Sequence, residues 1–257
     1  MTTTSLDYVG AIDLLDIGVF GESFGRSFLP YPFTYTEPTR FATAQSAADY
    51  ARTVPDRFQY GDLASFAGPL RTCEAADIRV ECHVQYIPDT TPSLRLVACR
   101  QGEVGFVAVQ RPDADVVDIY AVSPYELGSV VCDFVSFDRP GRHPSIVVPE
   151  FAPRDRAEFD DGDFVLRDEV ESPTHVAILS KALSVYSVIQ SHWRPARELG
   201  PDRSKAAVVW IRVDGDGDYI YEPEYACARP MSDSTLQRRI DQLIADDVAV
   251  LREFLRD

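Results

Sequence analysis

The chain has 257 residues, 45% of them hydrophobic, and 41 acids against 25 bases give a formal net charge of −16. That length can bury the core of one large domain or two small ones. The acidity weighs against partners with phosphate backbones and against anionic membrane surfaces.

No basic, then apolar, leader opens the chain, and no apolar run reaches a membrane span. The expectation is a cytoplasmic protein with no membrane insertion and no nucleic-acid partner. The five cysteines make no Cys-x-x-Cys pair and fall mostly in apolar periodic segments, which predicts buried free thiols.

In chain order, residues 6–17 predict a short helix. Residues 28–34 hold two prolines and read as an edge strand or loop. Thr36 can cap a helix whose apolar face runs through Phe41, Ala44, Ala48 and Ala51 to Pro55. Asp62 caps another, with Gly68-Pro69 kinking or ending it. Residues 77–87 then alternate strictly: Ile78, Val80, Cys82, Val84 and Tyr86 against Arg79, Glu81, His83 and Gln85. Such alternation predicts an antiparallel strand with one buried and one wet face. Strands follow at 94–99, 104–109 and 116–122 as a meander, then a helix over 123–135 and a strand over 145–149. Residues 151–171 are an acidic connector between two halves, 1–150 and 172–257, of a single domain. The stripe Val176, Leu179, Leu183, Tyr186 and Ile189 predicts a long helix over 174–193.

A strand at 206–213 leads into Asp214-Gly215-Asp216-Gly217-Asp218, a turn rich in Asp-Gly. Tyr219 to Tyr221 returns as a strand, 225–229 is the candidate third, and Pro230 closes it. Ser232 and Ser234 offer caps for a last helix with Leu236, Ile240, Leu243, Ile244, Leu251 and Leu255 along one stripe. The order strand, Asp-bearing turn, strand, proline, helix occurs at 104–135 and again at 208–255. This architectural repeat predicts two α+β halves sharing one sheet.

Asp13-Leu14-Leu15, Leu29-Pro30-Tyr31-Pro32, Ser145-Ile146-Val147-Val148-Pro149 and the stretch from Trp210 to Ile244 carry a resemblance across most of the chain. In the last stretch Trp210, Asp214-Gly215, Asp218-Tyr219 and Arg229-Pro230-Met231 precede the Leu/Ile-rich helix. In layout the sequence resembles the EspG family of type VII (ESX) secretion chaperones. The resemblance implies a quasi-two-fold α+β fold with a central antiparallel sheet and two helical bundles. It implies a cytosolic chaperone that grips the apolar helical tip of the PPE subunit in a PE–PPE heterodimer, with no catalysis and no cofactor. It leaves monomer and weak dimer open, and it puts contact at the central sheet and the C-terminal bundle.

Other chemistries are weaker. Gly21-Glu22-Ser23-Phe24-Gly25 matches a nucleophile elbow, but a strand should precede it and a helix follow it. Asp214, Asp216 and Asp218 begin like a calcium loop, yet Tyr219 and Tyr225 stand where Gly and Glu are required. The four histidines lack ligand spacing, so no metal site is expected. An acidic immunity- or antitoxin-like protein that blocks a basic enzyme fits the charge equally. The expected partner surface is the polar face of the 77–87 strand (Arg79, His83, Gln85) with Ile87 in the loop that follows. Tyr219 and Tyr221, two apart in a strand, are the aromatic anchors on a shared face.

Overall fold

The computed structural model describes residues 5–87, 90–151, 175–193, 200–223 and 226–256. All but the first residue of the expected connector at 151–171 lies outside them. The described elements are β1 (Asp7–Asp13), α1 (Leu14–Glu22), α2 (Ala44–Tyr60), α3 (Ala67–Glu74), β2 (Ile78–Tyr86), β3 (Leu94–Gln101), β4 (Val104–Gln110), β5 (Val116–Val122), α4 (Leu127–Phe134) and β6 (Ile146–Val147). They continue with β7 (Val176–Ala177), β8 (Leu183–His192), β9 (Val208–Val213), β10 (Gly217–Tyr221), β11 (Ala228–Pro230) and α5 (Asp233–Phe254).

All eleven strands form one sheet in the order β1-β5-β4-β3-β2-β8-β9-β10-β11-β6-β7. Every pairing is antiparallel except β6 with β7. The α+β fold with a shared antiparallel sheet is therefore as expected. Its symmetry centre is the β2–β8 pair. Moving outward, β3, β4 and β5 match β9, β10 and β11, and beyond them lie strands that precede each wing in sequence, β1 on one side and β6 with β7 at the edge on the other. The repeat is thus one strand out of step with the sequence reading: β4 and β5 correspond to β10 and β11, not to β9 and β10. In the sheet, Ile146–Val147 belongs with the second wing.

The misalignment has one cause. Residues 183–192, expected within a helix, are the central strand β8. Its side chains feed apolar clusters on both faces: Val185 and Ile189 on one, Leu183, Tyr186 and Val188 on the other. A strand buried on both sides shows no clean alternation, and its spacing of apolar residues imitates a helix. The first segment is misread similarly. Residues 7–13 are an edge strand bulged between Tyr8 and Gly10. The helix begins only at Leu14, where Asp13 accepts a hydrogen bond from the Leu15 N–H at 2.8 Å. α2 starts later than expected, with Thr43 and Ser46 forming its capping box, and it runs past Pro55. Asp62 does not cap; it accepts a bidentate bond from Arg57.

The front of the sheet carries α4 and α5. Leu127, Val130, Val131, Leu236 and Ile240 meet Ile78, Val80, Leu96 and Trp210 there. Ser232 caps α5 by accepting from the Thr235 N–H. Ile240 is fully buried, so Ile240→Ala should cost about 2–5 kcal/mol in urea denaturation. Leu243 is only partly buried, so Leu243→Ala should cost less than Ile240→Ala.

The back of the first wing is covered by α1, α2 and α3, through Leu14, Ile17, Val54, Phe58 and Leu70 on Val97, Ala108 and Ile119. Here two cysteines depart from expectation: Cys73 on α3 and Cys99 on β3 form a disulfide. Cys82, Cys132 and Cys227 are free thiols, Cys82 buried. On the back of the second wing Ile146 and Val148 form a cluster with Val209, Ile211, Val213, Tyr219 and Tyr221.

Candidate functional site

The back faces of the two wings are covered by different elements, and the central strands lie between them. Register fixes what that strip presents. Arg95, His83, Val188 and Val209 stand in one row across β3, β2, β8 and β9. Gln85, Tyr186, Ile211 and Tyr219 form the next. Above these rows the chain forms a groove of about 450 Å³, lined by Phe151, Tyr186, Val188, Gln190, Arg203, Lys205, Val209 and Tyr221 among others. Phe151 stands at one wall, its ring edge-on to Tyr186 at 5.7 Å.

The other wall is held by polar bonds. Gln190 donates to the Asp202 carbonyl at 2.7 Å and accepts from the Asp202 N–H at 2.9 Å. Lys205 reaches Asp247 of α5 at 2.6 Å. These contacts fix the 201–205 segment against the sheet, so the groove is a formed concavity with an apolar floor and polar rim.

The expected site residues separate. Gln85 is exposed and Ile87 is 41% exposed, so both are on the surface beside this strip. His83 is half-buried and meets Tyr31, its ring perpendicular to the tyrosine at 6.0 Å and its Nδ1 3.4 Å from the hydroxyl. Arg79 does not belong to a wet face. It is 3% exposed, beside Phe20, Pro30 and Phe33 beneath the first-wing helices. Its Nη2 lies 2.7 Å from Glu81 Oε1, and His192 Nε2 lies 3.5 Å from the other oxygen. Half of the expected wet face is thus an internal ionic cluster. The layer that covers it comes from elsewhere in the chain, which strand alternation cannot reveal.

Tyr219 and Tyr221 share a face as expected but are 0% and 4% exposed. Tyr219 is an internal residue. Its hydroxyl donates to Asp216 and accepts from the His143 N–H. Gly141 lies flat on its ring, where a Cβ would fall 1.9 Å from the ring carbon Cζ. The 138–143 segment that covers it also receives Asp218, which bonds the Asp138 N–H and Arg212. The Asp-Gly turn therefore uses its Asp216 and Asp218 carboxylates internally, and Gly215 supplies the φ of +70° it needs. Ser23 likewise ends α1, its hydroxyl donating to the Phe20 carbonyl at 2.6 Å. That is a helix C-terminus, not a strand-to-helix elbow.

Burial first, and the Arg95 charge second, hold His83 well below the ordinary imidazole range, near about 4. Unfolded, the same group titrates near 6.5. The unfolded chain therefore binds more protons between these values, and the stability that His83 contributes while neutral is lost as pH falls from about 6.5 toward 4. His83→Gln should flatten that part of the stability–pH curve while leaving the curve above pH 7 nearly parallel to wild type. Urea midpoints across the range test this, and unchanged curvature in the variant would refute it.

Sequence reasoning missed Tyr186, Val188 and Gln190 because it placed them on a helix. The signal available was the β-branched content of 185–189, which suits a strand better.

No curated protein matches the chain. Among solved structures, it is similar to the Mycobacterium tuberculosis type VII secretion system chaperone EspG5, determined in complex with a PE25-PPE41 dimer. The two share 10% identity, the match covers 91% of this chain and 95% of that one, and the TM-score is 0.49. The sequence profile of the EspG family matches residues 17–242. That span takes in most of α1, all of α2 and α3, the central β2–β8 pair and the first turns of α5, so the chain belongs to the EspG family.

Proposed function

We propose that this protein is a cytoplasmic, non-enzymatic secretion chaperone that holds a PE–PPE-type dimer by the apolar helical tip of its PPE subunit. The observation that carries this reading is the family match across residues 17–242. EspG5, a chaperone of the same name, was solved with a PE25-PPE41 dimer. The occupied surface in this reading is the back of the central strands, with Val188 and Tyr186 on the groove floor and Gln85 and Ile87 at its edge. A rigid sheet floor loses little entropy when a partner docks. Covering the apolar tip removes a surface that would otherwise aggregate, and the net charge of −16 keeps the complex dispersed. No described helix is long and apolar enough to cross a membrane.

An immunity-type role against a basic enzyme fits less well. The groove lining carries Arg203 and Lys205 against Asp202, a poor match for a cationic partner. The test is size-exclusion chromatography with light scattering on purified PE–PPE dimers, PE25-PPE41 among them, followed by calorimetry. A complex of one chaperone with one dimer, of micromolar or tighter Kd, is expected. Failure of every dimer to co-elute would overturn the reading.

A further inference from the structure

Arg95 stands apart from the other arginines. Arg26, Arg57, Arg79, Arg100, Arg212 and Arg239 are buried or half-buried, and each has a carboxylate within 4.0 Å. Arg95 is also half-buried, yet no carboxylate lies that close among the described residues. The acid that acts on it, Asp113, does so from longer range. In a chain with 41 acids, a half-desolvated guanidinium without a close carboxylate is uncompensated.

Its neighbours are donors too. His83 is its direct cross-strand partner, and the His83 Nε2 is buried without a hydrogen-bond partner. Where the Tyr31 hydroxyl donates to Nδ1, the imidazole proton sits on Nε2. A guanidinium without a close carboxylate and a buried imidazole nitrogen without a hydrogen-bond partner therefore stand side by side on adjacent strands, at one end of the row whose other end is the groove floor. Val188 is two strands from Arg95 in that row, roughly 10 Å at sheet spacing.

We propose that Arg95 reads a carboxylate carried by the segment that docks in the groove. The ligand is a helical tip with apolar side chains over Val188 and an Asp or Glu placed about two strand spacings away. An arginine fork suits a planar carboxylate, binding it bidentately. The carboxylate supplies the missing countercharge, so the tip is selected by an acid at a fixed distance from its apolar anchor as well as by hydrophobicity.

The proposal rests on the groove being the PE–PPE site, and the test separates the two. Calorimetry would use a purified PE–PPE dimer that binds wild type, with three chaperone variants: Val188→Glu, Arg95→Gln and Arg95→Lys. Loss of binding in Val188→Glu belongs to the groove. The expected results for the pole are a Kd weakened roughly tenfold or more by Arg95→Gln and a partial loss for Arg95→Lys. One acid on the partner's tip should give the same loss when changed to its amide. In the double variant the two losses should not add. The melting temperature of Arg95→Gln alone should be unchanged or raised, because an uncompensated charge has been removed.

Three outcomes would overturn the pole. One is wild-type affinity in Arg95→Gln while Val188→Glu has lost binding. Another is a lowered melting temperature, which would place Arg95 in an internal contact of this chain. The third is a shift in the self-association of Arg95→Gln by sedimentation without partner, which would make a second copy the occupant. If no dimer binds wild type, the function itself fails and the pole falls with it.

Discussion

Replacing Glu81 with alanine should destabilise the protein by about 3–5 kcal/mol, the range for a buried ion pair that loses one member. Glu81 is 1% exposed, and the two side chains against it, Arg79 and His192, are 3% exposed each. The variant would leave the Arg79 guanidinium at the centre of the sheet with no countercharge. For a domain of this size such a loss lowers the melting temperature by roughly 10 °C. A second variant distinguishes the pair from its packing. Changing Arg79, Glu81 and His192 together to apolar residues of similar volume should recover most of the loss, because the desolvation cost disappears with the charges. Chemical denaturation of both variants is the measurement. A Glu81→Ala cost below about 1 kcal/mol would mean that the cluster is hydrated rather than buried.

The second large effect concerns binding. Val188→Glu places a carboxylate on the floor of the back groove, where an apolar tip would have to desolvate it. On the proposed function, affinity for a PE–PPE dimer should fall roughly a hundredfold, equivalent to about 2.7 kcal/mol. Val188 is only half-buried, so the fold should survive, with melting within a few degrees of wild type. Tyr125→Glu, at a tyrosine 70% exposed beside α4, is the control and should bind normally. Equal affinity in the two variants would move the partner site off the back of the sheet.

Legibility in the sequence followed local chemistry. β2 to β5, β9 and the 214–218 turn were readable because alternation and Asp-Gly pairs act over a few residues. The same was true of α5, whose stripe and cap are local. β8 was not readable, since its apolar residues divide between the front cluster under α5 and the groove floor behind, so no single face carried them. The misplacement of Arg79 has the same origin. Its alternation with Val80 is real, but whether a face is wet depends on Phe20, Pro30 and Phe33. Tyr219 and Tyr221 share a face as a period of two requires, and the 138–143 segment covering Tyr219 lies far away in sequence. The Cys73–Cys99 bond joins a helix to a strand 26 residues on, a pairing that spacing alone does not select. The back groove was partly legible. Strand alternation put Gln85 on the face that continues into the groove, as the cross-strand partner of Tyr186, whereas the floor came from the strand that was misread.

The pairing of β2 with β8 also sets an order of events during synthesis. The first wing closes on itself, since β1 returns to β5 and every strand from β1 to β5 lies within residues 7–122. Its inner border, β2, waits for a partner that begins only at Leu183. Until then a nine-residue strand offers unpaired N–H and C=O groups along its whole length, the kind of edge that recruits other chains. Closure across so large a sequence separation is intrinsically slow. On the ribosome the strands of the first wing therefore emerge with a raw edge, and its exposure lasts for the synthesis of some sixty further residues beyond β5. A protein whose proposed work is to shield another's sticky surface passes through a stage in which its own central strand is unshielded.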